Sequence, residues 1–253
     1  SRVGVWRKAL PEDLKYFSAV GYYFGQELQK QLGVPVGVIH VSLGGSNMLA
    51  WIPRDVVKKE YPGCQGGDWV KSKYASAWVR GRAQQNVGPG GDFSLHPYAP
   101  SYLYETGIEQ WEGFPMAGVI WYQGCSNVNY NQTYFTLLNG LIKSWREEFR
   151  NPEMPFYIVE IAPHTYQGIN GARLREAQAR VAARNTNCEL VGTNDQNQIP
   201  GDIPPPKKVD VAHRLAQCAL GGFYKKTTDE FRSPAYKSMA IEGSTIRVNF
   251  KNV

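Results

Sequence analysis

No apolar run in the sequence approaches the roughly 20 residues needed to cross a bilayer, so no membrane span is expected. Cysteine is scarce. Four residues (Cys64, Cys125, Cys188 and Cys218) lie far apart and show no metal-ligand spacing, so neither a metal nor an organic cofactor is implied. Cys188 precedes a strand-like run and Cys218 lies in a helix-like one, which suits small core residues. Cys125 sits in a loop with no sequence-adjacent His to activate it as a nucleophile. A block of one charge sign is missing too. The net charge is +6, from 28 Lys and Arg against 22 Asp and Glu, but the basic residues are spread along the chain. That distribution describes a solvated basic surface and argues against nucleic acid as a partner.

What is present is enough chain for a real core. A length of 253 residues suits one large domain, or one domain with an appendage. From Ser18 to Lys30, Val20, Phe24 and Leu28 recur every four residues behind a Ser N-cap, which predicts a helix stopped by Gly33. Val34–Val41 then reads as a buried strand that ends in Ser42-Leu-Gly-Gly-Ser46. Residues 54–98, rich in Gly, Lys and aromatics, read as an irregular excursion that rims a site. Further helices are expected at 102–111, 134–149, 173–184 and 209–220, and strands at 116–121, 155–161 and 189–192. Thr245–Phe250 alternates like an exposed strand.

Alternating strands and helices predict an α/β fold with a parallel sheet covered on both faces. Ligands of such sheets sit beyond the carboxyl ends of the strands. Four strand ends would deliver Gly44-Gly45-Ser46, Gln123 to Asn127, His164 and Asp195 to one edge. Within Gly118-Val-Ile-Trp-Tyr-Gln-Gly-Cys-Ser-Asn127, the Asn after a strand-end Gly has two readings. It either aims its amide at a developing oxyanion or caps the next helix.

Five segments together resemble a known family. They are Phe17 to Leu28, Val34 to Ile39, Leu43-Gly-Gly-Ser-Asn-Met-Leu-Ala-Trp51, Val119 to Asn127 and Leu174-Arg-Glu-Ala-Gln178. They follow the pattern of sialate O-acetylesterase-like SGNH hydrolases over nearly the whole chain. The resemblance implies a flavodoxin-like three-layer α/β/α sandwich with a mostly parallel sheet, occupying residues 1–240. Residues 241–253 would begin a β-rich appendage or a returning strand. It also implies hydrolysis of O-acetyl esters on sialic acid or acetylated polysaccharide through a serine acyl-enzyme, and an exported compartment (periplasmic, secreted or lysosomal). An Asn131-Gln-Thr133 sequon agrees with export.

By position, Gly45 would give a backbone N–H and Asn127 a side-chain amide to the oxyanion. Asp202 would be the acid beside the base, and Gln123 would shape the pocket. His164 and Trp51 are candidates for substrate contact, with Trp121 and Tyr122 as further stacking candidates. The departures are specific. The family's nucleophile block is expected upstream of Phe17, so further polypeptide, in the same chain or as a second piece, is expected to supply the first strand and the Ser. Cys125 replaces a Glu. Pro204 stands where the family has its general-base His, and proline has no ionisable group. Ser46-Asn47-Met48 superficially resembles the nucleophile block, but its surroundings match the family's second block. His213 falls more than two helical turns beyond Pro204. Asp195 is an alternative acid. Loss of the base would leave a carbohydrate-binding pseudoenzyme or a structural subunit as the rival reading.

Overall fold

The computed structural model describes residues 5–64, 66–166, 168–196, 207–227 and 230–252. They divide into two compact units, Val41–Pro205 and Ser1–His40 with Pro206–Val253.

In the first unit three strands pair in parallel in the order β1 (Val119–Trp121), β2 (Phe156–Val159), β3 (Cys188–Val191). Parallel neighbours need long crossovers, and here helices supply them: α4 (Asn131–Glu148) after β1 and α5 (Asn170–Arg184) after β2. All four β2 residues are buried. Because side chains alternate between faces, the sheet is covered on both sides, as the apolar runs anticipated. Phe156 and Ile158 enter a core with Leu137, Leu138, Leu141, Ile142 and Trp145, the stripe expected on α4. Truncating any of these leucines to Ala is worth roughly 2–5 kcal/mol.

Residues 54–98 are more regular than expected. Helices α2 (Arg54–Glu60) and α3 (Ala77–Val87) form there, with short 3₁₀ turns between and after them. Ser76 caps α3 by accepting the Val79 N–H at 3.2 Å. Val79, Ala83, Trp69 and Tyr98 build a small core of their own. Composition hid this segment because α3 buries only two of its eleven residues and carries no apolar stripe. Residues 104–111, expected to be helical, wind as a π turn followed by a 3₁₀ turn.

In the second unit α1 (Ala19–Leu32) starts at Ser18, whose Oγ accepts the Gly21 N–H at 3.2 Å, and ends on Gly33 in the left-handed conformation. It pairs with α6 (Lys208–Cys218). The strand expected over Val34–Val41 does not form: among the described residues this stretch has no sheet partner. Residues 34–40 lie partly exposed, with the side chain of Val38 against the bare faces of Gly21 and Gly25 on α1. An apolar run is necessary for a buried strand but needs a hydrogen-bonded neighbour to become one. The 245–250 strand is present as β5 (Thr245–Lys251), antiparallel to β4 (Ala235–Glu242) in a hairpin that opens at 235.

The tryptophans are unevenly placed. Trp51, Trp69, Trp121 and Trp145 are buried, whereas Trp6 and Trp78 are 64% and 54% exposed.

Candidate active site

Two loops of the larger unit meet beside the carboxyl end of β1. The first runs from Leu43 to Met48. Gly45 there has φ +78°, a conformation that favours glycine. A Cβ on it would lie 2.3 Å from the Trp78 ring and 2.5 Å from the Tyr98 hydroxyl. Both the backbone and the space therefore demand Gly, so the main chain at 45 is bare. Tyr98 anchors the loop by donating its hydroxyl to the Gly44 carbonyl at 2.8 Å.

The second loop, residues 123–127, is sewn to the first by side chains. Nε2 of Gln123 donates to the Ser46 carbonyl (3.0 Å) and to Oδ1 of Asn127 (2.8 Å). Ser126 donates to the same Ser46 carbonyl at 2.6 Å. Oδ1 of Asn127 also accepts the Met48 N–H at 3.2 Å. Behind them, the hydroxyl of Tyr134 donates to the Gln123 carbonyl at 2.7 Å. The carboxamide of the fully buried Gln178 accepts the Ile161 N–H (3.0 Å) and donates to the Gln123 carbonyl (3.2 Å).

Of the two readings of Asn127, the helix cap is excluded. The residue lies inside a 3₁₀ turn and reaches across to the other loop. With two donors on Oδ1, the amide can face only one way, and Nδ2 has no hydrogen-bond partner among the described residues. Such a neutral, fixed and unspent donor suits a developing oxyanion.

Ser46 is not a free hydroxyl. Its Oγ donates to the Leu43 carbonyl (2.8 Å) and accepts Nε1–H of Trp51 (3.0 Å), and the residue is buried. Its hydroxyl proton is therefore engaged by a backbone carbonyl and not presented to a base.

Trp51 is a correction to the substrate-contact expectation. It is 4% exposed and packs edge-on against Trp121 at 5.9 Å, with its backbone carbonyl accepting the Trp145 indole N–H. Trp51 and Trp121 are both core by burial, and the Trp51 indole N–H is met inside by Oγ of Ser46, as a large buried indole prefers. Tyr122 is half-buried, and burial pushes its hydroxyl up to about 12.

His164 follows β2 and is half-buried, with its ring 5.1 Å edge-on from Tyr166. Tyr166 in turn donates to Sγ of Cys125 at 3.3 Å, which ties this stretch to the second loop. Burial pushes the Cys125 thiol up, away from the reactive thiolate. Glu160, also past β2, is buried and its carboxyl is raised by that burial, against the opposing pull of Arg175 and the Asn194 amide, which donates to it at 3.0 Å. Asp195 lies beyond β3, its Oδ2 accepting from Gln196 at 2.9 Å. Asp202 and Pro204 lie outside the described residues. Among the described residues no three His, Cys, Asp or Glu side chains come together as a metal site.

The structure therefore joins Gly45, Gln123 and Asn127 in one web and sends Trp51 to the core. Sequence reasoning missed Ser126, Tyr98, Tyr134 and Trp78. Gln178 carried a faint signal, as the polar residue of an otherwise apolar helix face.

Against known proteins, residues 13–220 match the model of the family described as carbohydrate esterase, sialic acid-specific acetylesterase. The chain belongs to this family. Sialate O-acetylesterase of Homo sapiens is 31% identical over 170 residues, covering 62% of this chain and 28% of that protein. The Rattus norvegicus counterpart is 25% identical over 251 residues, covering 89% and 46%. Among solved structures, a carbohydrate acetylesterase from Xanthomonas citri superposes with a TM-score of 0.75 at 27% identity, over 97% of this chain and 50% of that one. The chain thus spans less than half the length of these two curated relatives. The esterase-family fold is SGNH-type α/β, as the succession of motifs implied.

Proposed function

We propose that the protein serves hydrolysis of O-acetyl esters on a carbohydrate, through a serine acyl-enzyme whose oxyanion is held by the Gly45 N–H and Nδ2 of Asn127. The observation that carries this reading is the Asn127 amide, fixed by two donors on its oxygen with its nitrogen left unspent. Attack on the acetyl carbonyl moves charge onto its oxygen, and preformed donors of this kind lower that barrier. Acyl transfer to serine, then to water, releases acetate. Because Ser46 is committed on both sides, the nucleophile in this reading comes from polypeptide additional to residues 1–253, as does the proton acceptor unless the segment near Asp202 supplies it. The sugar is a sialic acid or an acetylated polysaccharide, and the compartment is an exported one.

The test is acetate release from O-acetylated sugars by the complete polypeptide that supplies the nucleophile. Asn127→Ala should lower kcat by about 10²–10³, the effect of removing one oxyanion donor. Turnover that survives the substitution unchanged removes Asn127 from the mechanism.

One observation favours a binding-only protein: Pro204 occupies the position where the family pattern has its base. Sugar binding without acetate release is the outcome that would select it.

A further inference from the structure

We infer that Trp78 is the wall on which the substrate's sugar ring stacks, and that it sets the preference for a carbohydrate ester over a ring-free one. This rests on the esterase reading for the placement of the acetyl group at Gly45.

The inference starts from the first turn of α3. Val79 and Ala83 face inward and are fully buried. Trp78, one residue and about 100° away around the helix, is turned to solvent and is 54% exposed. A lone exposed apolar side chain is ordinary and needs no function. What sets Trp78 apart is where it is held, against the Gly45 loop. Its indole stacks on Tyr98, with centroids 6.2 Å apart and planes 28° from parallel. Tyr98 is itself pinned by its hydroxyl to the Gly44 carbonyl. The benzo edge of the same indole abuts Gly45 so closely that a Cβ there would overlap it at 2.3 and 2.7 Å. The ring is thus preorganised, it keeps much of its surface in water, and it touches the residue whose N–H faces the oxyanion in the proposed mechanism.

The apolar C–H face of a pyranose matches such a surface. A ring lying on Trp78 would carry its ester beside Gly45 without ordering any loop, and preorganised contacts of this kind avoid the usual ordering cost. Trp51 and Trp121, two of the three aromatics first expected in this role, are withdrawn into the core, and the third, Tyr122, is half-buried, which leaves Trp78 as the exposed indole beside the Gly45 loop.

The experiment compares wild type, Trp78→Ala and Trp78→Phe, each in the complete polypeptide that supplies the nucleophile, in two assays. The first is calorimetric binding of an unacetylated methyl pyranoside. The second is the ratio of kcat/KM for an O-acetylated methyl pyranoside to that for ethyl acetate. Loss of the aromatic stack should weaken binding, and lower the ratio, by roughly two- to tenfold in Trp78→Ala. Trp78→Phe should recover most of both. Should Trp78→Ala unfold, as a lowered melting temperature would show, Trp78→Leu gives the same comparison with an apolar residue that has no ring. Glycoside binding equal to wild type in Trp78→Ala overturns the inference even where acetate is still released. Binding that depends on Trp78 with no acetate released upholds the platform and overturns the esterase reading. An equal fall on both esters, with binding unchanged, shows Trp78 to be only a prop for the Gly45 loop.

Discussion

The loops that meet beside β1 and the segments that follow β2 and β3 are built on opposite principles. In the first, Gln123, Ser126 and Asn127 place their side chains on the 43–48 loop, and each hydrogen-bonding group is engaged except the Asn127 nitrogen. In the second, buried polar atoms are left over. Nδ1 of His164 and Oε1 of Gln196 have no partner among the described residues, and Glu160 is held as a raised carboxyl. Donors that must stay neutral and still are served by full satisfaction of their surroundings. Groups that exchange protons need an environment that favours neither form too strongly. The difference shows why one side of the candidate site is legible in the sequence and the other is not.

The comparison breaks most visibly at Gln178, whose carboxamide reaches both regions. Gln178→Leu strands the Ile161 N–H and takes a donor from the Gln123 carbonyl. Tyr134 still donates to that carbonyl, so the chief cost is the unpaired Ile161 N–H at about 1–3 kcal/mol, and the urea midpoint should fall by an amount equivalent to roughly 2 kcal/mol. An unchanged midpoint would mean that the two regions are not joined there.

The next effect is pH-dependent. Burial raises the folded-state carboxyl of Glu160, so the native protein holds that proton more tightly than the unfolded chain does. Its contribution is then greatest at acid pH and is lost as pH rises from the ordinary carboxylate range through the raised value. Glu160→Gln keeps an acceptor for Asn194 and removes the ionisation. The variant should melt above wild type at pH 7, and the two should converge as pH falls below about 4. Curves that stay parallel across that range would show that burial does not govern Glu160.

The smallest effect is expected at His164. Replacing it with Phe keeps a ring against Tyr166 and deletes the orphaned nitrogen. Stability should move by no more than about 0.5 kcal/mol in either direction. A loss of turnover without a loss of stability would place His164 in contact with substrate.

Much of the fold could be read from periodicity. The α4 stripe, the three strands of the sheet and the Ser18 cap are local signals, and local signals survive in one dimension. The misreadings had a different cause. Val34–Val41 has the composition of a strand, but pairing is a property of two segments. Residues 54–98 fold around Trp69 and Tyr98, whose contacts lie about 25 residues apart, as in the Trp69 indole bond to the Phe93 carbonyl at 2.7 Å. At the site, Gly45 and Asn127 were nameable from their motifs, but the amide's direction was set by Met48, which lies 79 residues from Asn127. Trp51 was misassigned because an indole beside a functional loop looks the same in sequence whether it turns inward or out.

The distribution of indoles has an optical consequence. Four of the seven tryptophans are sealed in apolar surroundings and Trp111 is half-covered, so the long-wavelength, quencher-accessible edge of the emission comes chiefly from Trp6 and Trp78. Replacing Trp6 with Phe would leave that edge to one chromophore standing against Gly45. The chain would then carry its own lamp at the mouth of the site, with no label attached.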